Sequence, residues 1–280
     1  MKANKLSDNV IRLDVNGKDV QILWIADAHT DSLHVYRTRI KAMMNNYPNA
    51  YIVMGGDFSD NMQNVGDKRA TKGEDRYNRP QYLNSIIDDL YDFYSLYAER
   101  ILSFNLGNHE SAAIRHHGFD VQLSLVSLLN AQHKTNIQIG DFAGYVRLVF
   151  THNASKKYQY LIYYSHKPIS INSKSTRQIL AARYPSANMY ITEHIHQPEA
   201  IPFKVETVNF NDRVEYYTKW YIKAPTLKAE HEGVKRGYHH EKNYEPTFPG
   251  ALLLNFHTTR SYQKTKDKMD VIVKPEFIEI

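Results

Sequence analysis

Asp27 and His29 stand one residue apart in IADAHTD, Asp57 follows a glycine pair in MGGDFSD, and Asn108 and His109 follow Gly107 in FNLGNHES. Farther along, His166 lies in IYYSHKP, and His194 and His196 flank Ile195 in ITEHIHQP. Carboxylates, an amide and imidazoles make an oxygen and nitrogen donor set suited to Mn²⁺, Fe or Zn²⁺. Mg²⁺ favours oxygen ligands and fits the set less well. The 27/29 and 194/196 spacings put each pair on one side of an extended chain, where both members reach one cation. The chain has 14 histidines, and the placement of these few carries more meaning than the total.

Each group sits at the carboxyl end of an apolar run: QILWIA (21–26), YIVMGG (51–56), ILSFNLG (101–107), YQYLIYYSH (158–166) and ANMYITEHIH (187–196). Ligands collect at such ends in parallel α/β sheets. Between the first two runs, 32–46 has helical spacing through Val35, Ile40, Met43 and Met44, and this strand, helix, strand order predicts a parallel pair with a crossover. The segment 82–100 carries apolar residues at 83, 86, 87, 90, 93 and 97, one face of a helix. Further helices are expected over 118–130 and over 173–184, the latter capped by Ser173 or Ser175. YVRLVF (145–150) reads as a strand, KVETVNF and VEYYTKWYI flank NDR as a hairpin, and ALLLNFHT and DVIVKPEFI close the chain. The result is an α/β chain with two sheets, parallel units concentrated in its first half. The polar stretch 60–80 is expected to be a loop near the site, and no repeat or linker divides the sequence.

At 280 residues and 42% hydrophobic, the chain can bury a sizeable core. The absence of cysteine excludes disulfides, thiolate catalysis and thiolate zinc sites. A net charge of +5, from 35 basic and 30 acidic residues, permits an anionic substrate without announcing a nucleic-acid binder. No apolar run reaches membrane-spanning length and MKANKLSDNV lacks a secretory apolar stretch, so a cytoplasmic protein without a membrane partner is expected.

DAH at 27–29, GD at 56–57, GNHE at 107–110, SH at 165–166 and HIH at 194–196 resemble, in kind and order, the motifs of the calcineurin-like metallophosphoesterase superfamily. The general likeness extends to its phage and bacterial DNA-related members and repair exonucleases. The resemblance implies a four-layer α/β sandwich: two central mixed β-sheets flanked by helices. It implies a single domain over 1–280, with 222–280 packing as an extension near the active-site face. It implies two divalent ions, Mn²⁺ first and Fe, Zn²⁺ or a mixed pair as alternatives. One would be held by Asp27, His29, Asp57 and His196; the other by Asn108, His166, His194 and the shared Asp57. A bridging hydroxide would attack phosphorus in line, and His109 would act near the leaving group, with Asp60 a candidate to orient it. Two departures stand out: Ser165 and Glu193 occupy positions where the superfamily usually has glycine.

The expected function is phosphodiester hydrolysis, with DNA or a nucleotide as substrate. The alternatives are a phosphomonoesterase acting on a small molecule or phosphoprotein, and a metal-bound scaffold without turnover. An ATPase partner and homo-oligomerisation stay open. Arg115, His116 and His117 are candidates either for phosphate contact or for a solvated helix, and the basic residues of 60–80 for a substrate-contacting loop. Tyr160, Tyr163 and Tyr164 are expected to pack in a sheet, and Tyr216, Tyr217, Trp220 and Tyr221 either to do so or to stack bases.

Overall fold

The computed structural model describes residues 3–7, 9–17, 19–32, 34–61, 81–153, 156–170, 172–208, 211–229, 231, 240, 245–263 and 266–280. The polar stretch 60–80 therefore lies, beyond Asn61, outside the described residues. In chain order the elements are β1 (Ala3–Ser7), β2 (Val10–Val15), β3 (Asp19–Ile25), α1 (Arg37–Asn46), β4 (Tyr51–Met54), α2 (Tyr82–Tyr94) and β5 (Ile101–Phe104). There follow α3 (Asn108–His117), α4 (Val121–His133), β6 (Gln138–Ile139), β7 (Ala143–Asn153), β8 (Lys156–Ser165), α5 (Ser173–Arg183) and β9 (Met189–Thr192). Two hairpins complete the order, β10 (Glu199–Val208) with β11 (Val214–Lys223) and β12 (Gly250–Gln263) with β13 (Lys266–Glu279).

Among the described residues the strands form two mixed sheets, ordered β1-β2-β7-β8-β9-β11-β10 and β13-β12-β3-β4-β5-β6. Strand alternation then builds four layers. In β3, Ile22 and Trp24 face a core shared with Leu148, Ile162 and Ile191 of the other sheet. Leu23 and Ile25 face the opposite way, against Ile40, Ile86, Leu90 and Leu125 from the helices. On the far side, α5 buries Leu180 against Tyr163, Tyr190 and Tyr221. The observed architecture is thus the expected sandwich of two central sheets flanked by helices.

Several local expectations shift. The helix read over 82–100 is α2 followed by a 3-10 segment, Ser95–Arg100. Arg100 at its end donates to the carbonyls of Met44, Tyr47 and Ala50, tying the exit of α1 to the entry of β5. Gly118 does not open a helix: it ends α3 in the left-handed region at φ 63°, and Asp120 caps α4 by accepting from the Leu123 N–H at 2.8 Å. Neither Ser173 nor Ser175 caps α5; Asn172 does, accepting from the Ser175 N–H at 3.1 Å.

The register fixes where the chain emerges. Ile25 pairs with Met54 and Met54 with Phe104, so the three parallel strands end together at one rim. In the second sheet Ser165 pairs with Thr192 and Thr192 with Lys223, forming an equivalent rim. The chain after β11 joins them: the Leu227 N–H and the Thr226 hydroxyl both donate to the carbonyl of Asp27.

Candidate metal centre

The candidate ligands lie just past the strand ends, and the backbone there is unusual. Asp27, His29, Asp57, His194 and His196 have φ of 46°, 42°, 55°, 75° and 60°. Non-glycine residues avoid this left-handed region because Cβ crowds the carbonyl, and such residues cluster at functional sites. The extended geometry expected for 27/29 and 194/196 is therefore corrected: β3 stops at Ile25 and β9 at Thr192. Each pair converges because two left-handed residues flank one intervening residue. Long-range bonds hold this conformation, with the Asp27 N–H donating to the Gly56 carbonyl and the His29 N–H to the Asp57 carbonyl.

The side chains gather in two groups that share Asp27. Asp27, Asp57, His166 and His194 bring one ligand atom each within 4.8 Å of one another, and Asp27, His29 and His196 do the same. Asp57 Oδ2 lies 3.1 Å from His166 Nε2, and Asn108 Oδ1 lies 3.0 Å from that nitrogen, so Asn108 joins the first group. His196 Nε2 lies 3.2 Å from Asp27 Oδ1, and the His194 N–H donates to Asp27 Oδ2 at 3.0 Å. Asp27 belongs to both groups, and Asp57, the carboxylate that the resemblance implies as shared, lies in the first with its Oδ1 accepting the His109 N–H at 2.8 Å.

A third group, His29, Asp60 and His109, has a different character. Lys228 Nζ lies 3.4 Å from Asp60 Oδ1, placing a fixed cation beside its carboxylate. His109 Nδ1 lies 2.5 Å from the Asp60 carbonyl oxygen and 3.7 Å from its Oδ1, so Asp60 holds this ring chiefly through its backbone. His109 Nε2 then faces Asp57 Oδ2, at 3.8 Å.

Electrostatics agree with cation binding. Asp27, Asp31, Asp57, Asp60, Glu110 and Glu193 are all buried around the strand ends. Burial pushes two of them up, Asp31 to about 6 and Glu110 well above the usual carboxylate range, with Asp60 and Asp57 respectively adding repulsion. Burial alone would raise Asp27 and Asp57, but the neighbouring histidines, His196 for Asp27 and His166 for Asp57, hold both below the usual carboxylate range. Burial, reinforced by Lys228, pushes His29 down to about 4, leaving it neutral with a lone pair to offer. Burial and then His166 push His194 down to about 4. Burial would lower His166 too, yet the carboxylates of Asp57 and Glu193 outweigh it and raise that ring well above the usual range.

These residues fit two divalent ions. The clearest sign is His29: Nδ1 lies 2.8 Å from Asp60 Oδ1, while Nε2 is buried and makes no hydrogen bond. An orphaned buried nitrogen is costly in a ring that has no ligand to bind.

Two glutamates brace the ligands. Glu110, at the first turn of α3, accepts from the N–H groups of Gly107, Asp57 and Ser59, locking the helix start to the β4 exit. The Gly-x-x-Glu spacing of GNHE, a capping-box geometry, was the available signal for it. Glu193 touches both sheets and His166, a role the sequence showed only as a departure from pattern. Arg115, His116 and His117 are exposed on the last turns of α3. Tyr160, Tyr163 and Tyr164 are buried in β8 as expected, Tyr221 is buried, and Tyr216 and Tyr217 are exposed on β11. Beyond His196 the chain borders a cavity of about 360 Å³ lined in part by Gln197, Pro198, Lys223 and Phe248.

No family model matches this sequence, and no curated protein does. Among solved structures, vacuolar protein sorting 29 from Cryptosporidium parvum aligns over 93% of this chain and 100% of its own, at 9% identity and a TM-score of 0.42. Chaetomium thermophilum Vps29 aligns over 93% and 97%, at 10% identity and a TM-score of 0.39. GAP50, the anchor in the inner membrane complex of Plasmodium, aligns over 94% and 90%, at 13% identity and a TM-score of 0.44. At these values the likenesses decide nothing about activity or partners.

Proposed function

We propose that this chain is a calcineurin-like metallophosphoesterase that hydrolyses phosphodiesters with two divalent ions. The observation that carries the reading is convergence: Asp27, His29, Asp57, Asn108, His166, His194 and His196 leave five strand ends and meet at one centre, five of them on left-handed backbone. Asp27, Asp57, Asn108, His166 and His194 would hold one ion and Asp27, His29 and His196 the other. Such ions, when bound, supply positive charge for phosphoryl oxygens and acidify water.

The rest of the chemistry belongs to the chain. His109 is held by the Asp60 carbonyl at Nδ1, which therefore carries the hydrogen, and its Nε2 points towards the centre. Protonating the departing oxygen from that nitrogen requires an N–H at both ring positions, so we assign the step to the imidazolium form of His109, which keeps its Nδ1–H on the Asp60 carbonyl and gives up the Nε2 proton. The burial of the ligands excludes bulk water, strengthening each charge interaction. Contacts of 224–229 support the single-domain reading: Leu227 and Thr226 donate to the carbonyl of Asp27, and Lys228 reaches Asp60.

The test is hydrolysis of bis(p-nitrophenyl) phosphate and p-nitrophenyl phosphate by metal-stripped protein resupplied with Mn²⁺. Diester preference, abolished in Asp57→Asn and reduced on the order of 10²-fold or more in His109→Ala, is expected, and DNA is the next substrate to try. Monoester preference moves the reading to a phosphatase. Turnover indifferent to Asp57→Asn sinks it.

A further inference from the structure

Glu193 stands where the resembling superfamily has glycine, and the structure gives it a place of its own. It is 2% exposed. Its Oε1 accepts from the Trp24 indole N–H at 2.8 Å, and its Oε2 accepts from the Gly56 N–H at 2.8 Å. The same Oε2 lies 3.2 Å from His166 Nδ1. Opposite, His166 Nε2 faces Asn108 Oδ1 and Asp57 Oδ2. The room comes from Gly55: a Cβ there would overlap Glu193 Oε1 and come within 2.9 Å of Ala26 Cα.

We propose that Glu193 is a positioning residue that fixes His166 with its Nδ1–H turned to the carboxylate and its Nε2 turned to the metal centre. A metal-ligating imidazole commonly donates its other N–H to a carboxylate, which sets the tautomer, fixes the ring and raises its basicity. Here that carboxylate is itself clamped, since Trp24 brings a donor from β3 and Gly56 one from the β4 exit. The second sheet supplies the histidine and the glutamate, and the first supplies the clamp. Glu193 thus makes one ion's geometry depend on the docking of the two sheets.

This inference rests on the metal-centre reading, and the experiment separates the two. Mn²⁺ is titrated calorimetrically into metal-stripped full-length wild type, Glu193→Gln and Glu193→Gly, with thermal unfolding of each apo-protein followed alongside. The ¹H–¹⁵N spectrum of the Zn²⁺-loaded forms reports the imidazole N–H of His166. Wild type is expected to bind two ions. Both variants are expected to weaken one ion by roughly 10- to 100-fold and the other by less than about threefold, since only His166 is freed. The hydrogen-bonded His166 N–H signal is expected in wild type and lost in Glu193→Gly. Two wild-type-like affinities in a folded variant overturn the positioning role alone. Equal loss of both ions, paralleling a lower apo melting temperature in both variants, also overturns it by reducing Glu193 to a structural brace. Failure of wild type to bind two ions overturns the metal-centre reading and this inference with it. Should Glu193→Gly not fold, Glu193→Gln, which keeps the volume and one acceptor oxygen, decides the matter by its two affinities.

Discussion

Lys228 Nζ lies 3.4 Å from Asp60 Oδ1, and both side chains are only 9% exposed. This buried ion pair distinguishes the His29, Asp60 and His109 group from the other two, because an ammonium already stands where a third divalent ion would have to sit. The protein is expected to take up two equivalents of Mn²⁺. A third equivalent of similar affinity in an equilibrium titration would contradict the assignment.

Removing that ammonium should also be costly. Lys228→Met leaves the Asp60 carboxylate buried with less compensation, and truncating one partner of a buried pair costs roughly 3 kcal/mol or more. Urea unfolding of the metal-stripped variant measures it. A loss below about 1 kcal/mol would show that Asp60 is satisfied by its other neighbours.

Glu110 accepts three backbone N–H groups with two carboxylate oxygens. Glutamine offers one carbonyl oxygen, and its amide end meets donors. Glu110→Gln is therefore expected to lose about 1–3 kcal/mol for a buried donor left unsatisfied, read from the same unfolding curves. Unchanged stability would mean that the α3 start rearranges freely.

Tyr160 makes the opposite case. Its hydroxyl is buried between the sheets without a hydrogen-bond partner, while its ring packs edge-on against Phe256 at 5.2 Å. Tyr160→Phe removes only the orphaned oxygen, so stability should stay constant or rise by up to about 1 kcal/mol. A clear loss in thermal unfolding would reveal a partner for the hydroxyl.

Burial raises the tyrosines of the sheets, and it pushes Tyr190 up to about 12 from 10.0, with its hydroxyl donating to the Tyr184 carbonyl at 3.0 Å. Between those pH values the folded chain keeps a proton that the unfolded chain releases. Stability must then fall as pH rises through that window and be unaffected by this group below it. Tyr190→Phe should flatten the decline from about pH 10 upward, measured by denaturant midpoints; an unchanged slope would remove Tyr190 as a source.

Much of this was legible in the chain, for stated physical reasons. QILWIA, YIVMGG and ILSFNLG are buried on both faces, so they appear as unbroken apolar runs and become β3, β4 and β5. The candidate ligands were legible because each closes such a run. β2 was missed although VIRLDV alternates Ile11, Leu13 and Val15 inward with Arg12 and Asp14 less buried, a half-buried strand's pattern. The left-handed turns at 27, 29, 57, 194 and 196 had no local signal, because contacts between distant segments impose them on residues that would not choose them. The partners of Glu193 were illegible for the same reason, since Trp24 and Gly56 lie 169 and 137 residues away. That Asp27 is common to both ligand groups depends on where two sheet rims meet, which no spacing encodes.

The most direct test of the metal centre is anomalous diffraction from crystals of the full chain equilibrated with Mn²⁺. Two peaks are predicted, one among Asp27, Asp57, Asn108, His166 and His194 and one among Asp27, His29 and His196, with none between His29, Asp60 and His109. A single peak, or density at Asp60 beside Lys228, would contradict the account.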